Sequence, residues 1–280
     1  MPEAPNDLTI SVVVAVRNGA RTLQRCLDSV FDQTNHCVEV AVIDAASDDG
    51  TQAILERNAS RIGYWESERD RGICHAWNKA LTHTRGDWIY FLGADDRLRD
   101  PDVLRRMAEA LIEAEGRHRV VYGTVHVVDE EGSIVRTEGR PWEEVRVGFR
   151  EGMAIPHQAT FHHRSLFERT GGFDERFRIA GDYELLLREL LDHDPLFVDG
   201  LVVAEMGAGG VSDRPENAVT MIREMERARH MHGLTAVPEW RSLRVFRAVV
   251  RAQAARAFGP RAADALRDVY HVLVRRPRRP

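Results

Sequence analysis

Cysteine is almost missing from this sequence of 280 residues: Cys26, Cys37 and Cys74 are odd in number and show no CxxC spacing. That argues against a disulfide framework and a structural zinc site, and it suits a reducing cytoplasm. Long hydrophobic runs are also lacking. The longest, Val12–Val16 and Trp88–Leu92, are far short of the roughly 18–20 residues that a bilayer span needs. The opening segment Met1–Asp7 is acidic and Pro-rich, so neither a signal peptide nor a transit peptide is expected in it. Lysine occurs once, at Lys79, among 39 basic residues, which reads as the bias of a GC-rich genome rather than a functional signal. What is present is an apolar fraction of 43%, too high for a disordered chain and sufficient for one large domain or two small ones.

The charge is unevenly spread. From Trp240 onward there are 11 Arg against Asp264 and Asp268, a balance of +9, so the preceding 239 residues carry −14 of the total of −5. An acidic body repels phosphates and speaks against a nucleic-acid partner, whereas the basic tail allows contact with an anionic surface.

Hydrophobic periodicity organises the first half. Val-rich Leu8–Val16, Val38–Ile43, Ile62–Trp65 and Trp88–Leu92 read as strands, and Arg21–Gln33, Thr51–Arg57, Ile73–Thr84 and Pro101–Ala114 as helices. Four alternations in about 110 residues predict a parallel sheet with helices on both faces, whose ligands bind at the carboxyl ends of the strands. Polar clusters fall there each time: Arg17-Asn18, Asp44–Asp49, Glu68–Gly72 and Asp95-Asp96. After residue 118 the pattern becomes a hairpin, Val120–Val128 with Ser133–Thr137, then strands Ala159–His163 and Leu196–Glu205 around a helix, Asp182–Leu191. Met206–Pro215 reads as a loop, followed by helical segments Glu216–His232, Trp240–Phe258 and Arg261–Val274.

Two readings stand for each polar cluster. Asp95-Asp96 is either a divalent-cation site, since adjacent carboxylates repel without one, or a helix cap and first-turn acid ahead of Pro101. Asp44 either accepts from a base or ribose or forms an Asx-turn. Asp70-Arg71-Gly72 fits an ordinary helix start, and Asn78-Lys79 a solvated helix face. His162 and His163 point to opposite faces of a strand, which speaks against a zinc cluster with His157.

Taken in order, the motifs resemble family 2 glycosyltransferases of the GT-A fold. They are Val-Val-Val-Ala-Val-Arg-Asn-Gly (12–19), Val-Ile-Asp-Ala-Ala-Ser-Asp-Asp-Gly-Thr (42–51), Tyr-Trp-Glu-Ser-Glu-Arg-Asp-Arg-Gly-Ile (64–73), Ala-Trp-Asn-Lys-Ala (76–80) and Gly-Asp-Trp-Ile-Tyr-Phe-Leu-Gly-Ala-Asp-Asp (86–96). Tyr-Gly (122–123), His-Gln-Ala-Thr-Phe (157–161), Gly-Gly-Phe-Asp (171–174) and Ala-Gly-Asp-Tyr-Glu (180–184) continue the series. The resemblance implies an α/β, Rossmann-like, mostly parallel central sheet in a catalytic domain over residues 1–210, and a helical extension over 211–280. Within the catalytic domain, about 1–115 would be the nucleotide-sugar half and 116–210 the acceptor half.

The activity so implied is inverting, metal-dependent transfer of a sugar from a nucleoside-diphosphate donor to a hydroxyl of a glycan or lipid-linked acceptor, in cell-surface polysaccharide or glycolipid assembly. Ala15, Arg17, Asp44 and Asp70 would hold the nucleoside, Asp95 and Asp96 a Mn²⁺ or Mg²⁺ ion, with Asp95 shared with the ribose. Asp182 would be the general base, and His157 and Gln158 would line the acceptor pocket. Departures from the family pattern are Ala15 and Arg17, where Pro and an aromatic residue are frequent, His75 in place of an acid, and Gly93 in place of a polar residue. The cysteine usage and the character of Met1–Asp7 lead to the expectation of a cytoplasmic location. The tail helices either pack on the acidic body or bring it to the inner face of the membrane through Arg275, Arg276, Arg278 and Arg279. Competing classes are a sugar nucleotidyltransferase, which needs a Gly-rich phosphate loop after the first strand, a receiver-type signalling domain, which would leave the second half unexplained, and a degenerate, non-catalytic member of the same fold.

Overall fold

The computed structural model describes residues 8–35, 38–129, 131–207 and 217–234. The chain divides into two compact units, Met1–Ala208 and Gly209–Pro280.

In the first unit, β1 (Ile10–Val16) lies between β2 (Val38–Asp44) and β4 (Trp88–Gly93), parallel to both, and β3 (Tyr64–Ser67) adds in parallel outside β2. Val12, Val13 and Val14 are all fully buried, which is why β1 is a continuous apolar run rather than an alternating one. Val12, Val14, Trp88, Tyr90 and Leu92 share one core with α1 (Leu23–Phe31), α2 (Thr51–Asn58) and α4 (Val103–Ala114). In α1 the buried residues Leu23, Cys26, Leu27 and Val30 recur at i, i+3, i+4 and i+7. Phe91 faces the other way and meets Trp77 of α3 (Ile73–His83), so helices cover both faces.

The second half joins the sheet beyond β4. There β8 (Thr160–His163) runs antiparallel to β4 and to β6 (Val120–Val128). The hairpin is formed, with β7 (Ile134–Glu138) antiparallel to β6. On the other side of β6 lies β9 (Leu196–Gly207), parallel to it, and β5 (Arg97–Leu98) pairs antiparallel with β9. Among the described residues the sheet order is therefore β3-β2-β1-β4-β8-β6-β9-β5, with β7 attached to β6.

Four elements absent from the sequence reading appear: β5, α5 (Trp142–Phe149), a 3-10 turn over His157–Ala159 and α6 (Arg164–Thr170). The residue before α6, His163, accepts from the Ser165 amide through its side chain and so caps the helix. Next comes α7 (Gly181–Leu190), buried along nearly its whole length. Two of its acids are paired within the fold. Glu184 pairs with Arg188, and Glu189 with Arg119 (2.8 Å) and Arg169 (2.7 Å). Pairing of this kind is what makes a buried carboxylate tolerable.

In the second unit the described helix is α8 (Ala218–Met231). The segments Trp240–Phe258 and Arg261–Val274, the Arg275–Pro280 tail and most of the Met206–Pro215 loop lie outside the described residues. No helix among the described residues is long and apolar enough to cross a membrane.

Candidate active site

The strand register sets the site. Val16 lies beside Asp44 and Ala15 beside Gly93, while Asp44 lies beside Ser67. The loops leaving β1, β2, β3 and β4 therefore emerge from one edge of the sheet. Because β2 and β4 flank β1, the strand order reverses at that point, which is where open α/β sheets take their ligands. Ala15, Arg17, Asp44, Asp70, Asp95 and Asp96 are all gathered along this edge.

The first two loops are interlocked. Ser47 Oγ accepts from the Asn18 amide (2.7 Å), Thr51 Oγ1 from Gly19 (2.9 Å) and Asp49 Oδ2 from Ala20 (2.9 Å). Asn18 Oδ1 accepts in return from the Asp48 amide at 3.2 Å. Three consecutive amides after β1 are thus bonded to side chains rather than aimed at a phosphate, which counts against the nucleotidyltransferase reading. Asp44 is fully buried and accepts from the Ser47 amide (3.1 Å), Ser47 Oγ and Ser67 Oγ (2.6 Å). The Asx-turn is therefore present. Ala46, within it, holds a left-handed backbone at φ 55°. Asp70 Oδ1 accepts from the Gly72 amide (3.0 Å) at the start of α3, while Arg17 is exposed.

The acidic pair does not cap a helix. It is followed by β5, and the residue preceding α4 is Asp102. Asp95 is exposed and Asp96 is buried, at 3%. The Asp96 amide donates to the Gly93 carbonyl (3.0 Å), and the turn folds the Asp96 carboxylate over Gly93, where a Cβ would collide with it. Glycine at 93 is thus what makes room for the acid. Burial, with the charge of Asp95 adding to it, pushes the Asp96 carboxyl up to about 7. Around the pair, Arg25 Nη2 donates to the Asp95 carbonyl (3.0 Å), and the buried Glu205 of β9 holds Arg97 (Nε, 2.6 Å) and Arg99.

On the far side, Gly181 begins α7 so close to α3 that a Cβ would strike Cys74 Sγ. Asp182, half-buried, is the second residue of that helix rather than its cap. Its Oδ1 accepts from the Tyr183 amide at 2.7 Å. His157 is 6% exposed and packs between Trp77 (centroids 5.1 Å), Phe91 (5.6 Å) and His162 (5.4 Å). Burial lowers its pKa to about 4 and holds it neutral. Gln158 is half-buried, and its carbonyl accepts from Tyr90 Oη at 2.8 Å. Asn78-Lys79 is not a solvated face. Asn78 bonds Phe173, and Lys79 pairs with Glu66 and Glu68 (3.8 Å).

The family model for glycosyl transferase family 2 matches residues 11–169. An uncharacterized glycosyltransferase of Mycobacterium tuberculosis is 33% identical over 217 residues, 77% of this chain and 80% of the relative. The chain belongs to glycosyl transferase family 2 and is a transferase enzyme. A second relative, a PGL/p-HBAD biosynthesis glycosyltransferase of Mycobacterium bovis, is 32% identical over 185 residues, 64% of this chain and 68% of the relative. Among solved structures, the mannosyltransferase PcManGT of Pyrobaculum calidifontis in complex with GDP-Man and Mn²⁺ has a TM-score of 0.62 at 20% identity, covering 98% of this chain and 85% of that one. That likeness shows the GT-A fold.

For a family 2 transferase the donor set at the acidic pair fits a hard divalent cation. Two adjacent carboxylates, one buried and held near neutrality of charge by its surroundings, gain from a positive ion between them. No group of three His, Cys, Asp or Glu gathers for a metal among the described residues. Sequence reasoning missed Ser47 and Ser67 around Asp44, Arg25 behind Asp95, and Glu205. Glu205 carried a signal, an acid inside the apolar run Leu201–Met206.

Proposed function

We propose that this family 2 transferase moves a sugar from a nucleoside-diphosphate donor to a hydroxyl acceptor by a single inverting displacement that depends on Mn²⁺ or Mg²⁺. The observation that carries the reading is the Asp95-Asp96 pair at the carboxyl edge of β4, with the buried carboxylate of Asp96 turned back over Gly93. The Ala15 backbone, Arg17 and Asp70 hold the nucleoside. Asp44, its buried carboxylate enclosed by Ser47 and Ser67, fixes the turn against which the base or ribose rests. Asp95 and Asp96 would hold the cation, which would supply positive charge to the leaving group's side of the site. Asp182 takes the acceptor's proton; inversion then needs no enzyme nucleophile. His157 acts from within the wall of the acceptor side and Gln158 at its surface. The biosynthetic name of the mycobacterial relative supports an acceptor in glycan or glycolipid assembly. A panel of UDP-, GDP- and TDP-sugars with Mn²⁺ tests this through release of nucleoside diphosphate. Asp96→Ala should abolish release and the metal dependence of nucleotide binding with the fold intact. Near-wild-type turnover in that variant with metal present would refute the assignment.

A further inference from the structure

Helix α3 meets the second half of the fold through Asn78 as well as Cys74. Asn78 pairs in both directions with one backbone unit: its Nδ2 donates to the Phe173 carbonyl (2.9 Å) and its Oδ1 accepts from the Phe173 amide (2.8 Å). Gly172 is needed beside it, because a Cβ there would collide with Asn78 Oδ1. The second Nδ2 hydrogen goes to Glu175 Oε1 at 3.3 Å, and Glu175 Oε2 accepts from Arg71 Nε at 3.1 Å and from Nη2. Arg71 sits between Asp70 and Gly72 in the turn that leads into α3, and its amide in turn donates to His75 Nδ1 (3.3 Å). The segment from Gly171 to α7 is therefore fastened to the Asp70 turn twice. One fastening, through Asn78, is half-buried. The other, Arg71 to Glu175, has side chains 68% and 32% exposed.

We propose that Arg71 and Glu175 form a latch, with Asn78 as its fixed pin, that sets the position of the Asp182 end of α7 against the Asp70 turn. Both are positioning residues for transfer, and the reaction consequence rests on the roles given above to Asp70 and Asp182. The half-buried pin keeps Phe173 in its aromatic cluster with Trp77 (4.7 Å) and Phe91 (5.1 Å). The exposed pair releases and re-forms without unpacking that cluster. A shift of the nucleoside-side turn is thereby passed to the acceptor side through this pair beside the pin.

Glu175→Gln keeps an oxygen for Asn78 and removes the charge that Arg71 reads. Hydrogen exchange of the full chain over residues 171–180 should speed up about two- to fivefold, the range set by an exposed ion pair, with little change in Tm. Arg71→Gln should speed it by the same amount, and combining the two substitutions should speed it no further. Exchange unchanged in Glu175→Gln, or additive effects in the double variant, overturns the latch. With a donor that the wild-type enzyme turns over, Glu175→Gln should lower kcat/KM for the acceptor about two- to fivefold and leave the donor KM unchanged; equal effects on both substrates would mean a merely structural tie. If the wild-type enzyme turns over no donor of the panel, the proposed function falls, while the exchange measurements still decide the latch.

Discussion

Acidification should unfold this protein through two histidines that the core keeps neutral. His157 and His162 are buried among Phe91, Trp77 and Phe167, and no hydrogen-bond partner reaches His157 Nε2 among the described residues. Burial lowers His157 from 6.5 to about 4, and His162 well below its ordinary value, with the nearby His157 adding to the effect. Below pH 6.5 the unfolded chain takes up protons that the folded one refuses. The stability contributed by the neutral ring is therefore complete above that pH and is lost as pH falls toward 4. For His157 the separation of about 2.5 pKa units corresponds to about 3 kcal/mol in full, and to about 2 kcal/mol between pH 7.5 and 5. Asp96 works in the opposite direction: its raised carboxyl costs stability above pH 7 and regains it as the pH falls. A comparison with a variant is therefore needed. Urea unfolding of wild type and His157→Gln at both pH values isolates the histidine. The wild type should lose about 2 kcal/mol more than the variant on going to pH 5. Parallel losses would refute the claim that burial holds His157 neutral.

Asp182→Asn retains an oxygen for the Tyr183 amide but cannot accept a proton, so Tm and donor affinity should hold while turnover falls by at least about 10²-fold. Full activity would move the search for the base elsewhere, and a wild-type product of retained anomeric configuration, read by NMR, would end the single-displacement mechanism. Removal of residues 261–280 should reduce sedimentation with anionic vesicles, and binding of the full chain should weaken with salt. Equal binding by the full and shortened chains would eliminate the basic tail as an anchor.

The elements legible in the sequence were those whose periodicity is imposed by burial on both sides or on one face. β1 and β4 are apolar runs because they lie mid-sheet, and α1 repeats its buried residues at helical spacing. β5 was illegible because a two-residue strand exists only through its partner β9. Eight residues of α5, with Glu143 and Glu144 in the first turn after Pro141, carry too short a pattern to separate from a loop, and α6 starts from an uncommon histidine cap. The site followed the same division. Acids at strand ends could be read directly, and β5 then removed the cap reading of Asp95-Asp96. The tie between Asn78 and the Phe173 backbone spans 95 positions and pairs a side chain with a distant main chain, an arrangement with no periodic trace.

The interlock between the loops after β1 and β2 bears on how donor preference could change by descent. Ser47, Thr51 and Asp49 accept from the Asn18, Gly19 and Ala20 amides, and Asn18 from the Asp48 amide, so a substitution in one loop leaves an amide of the other without its partner. Changes there should combine non-additively, a first step being harmful until its counterpart follows. The two loops would then be inherited as a unit. On the nucleoside roles proposed for Arg17 and Asp44, exchanging nucleotide preference between relatives would require transplanting residues 17–20 and 44–51 together, since either loop alone would arrive with its hydrogen bonds addressed to a neighbour that is not there.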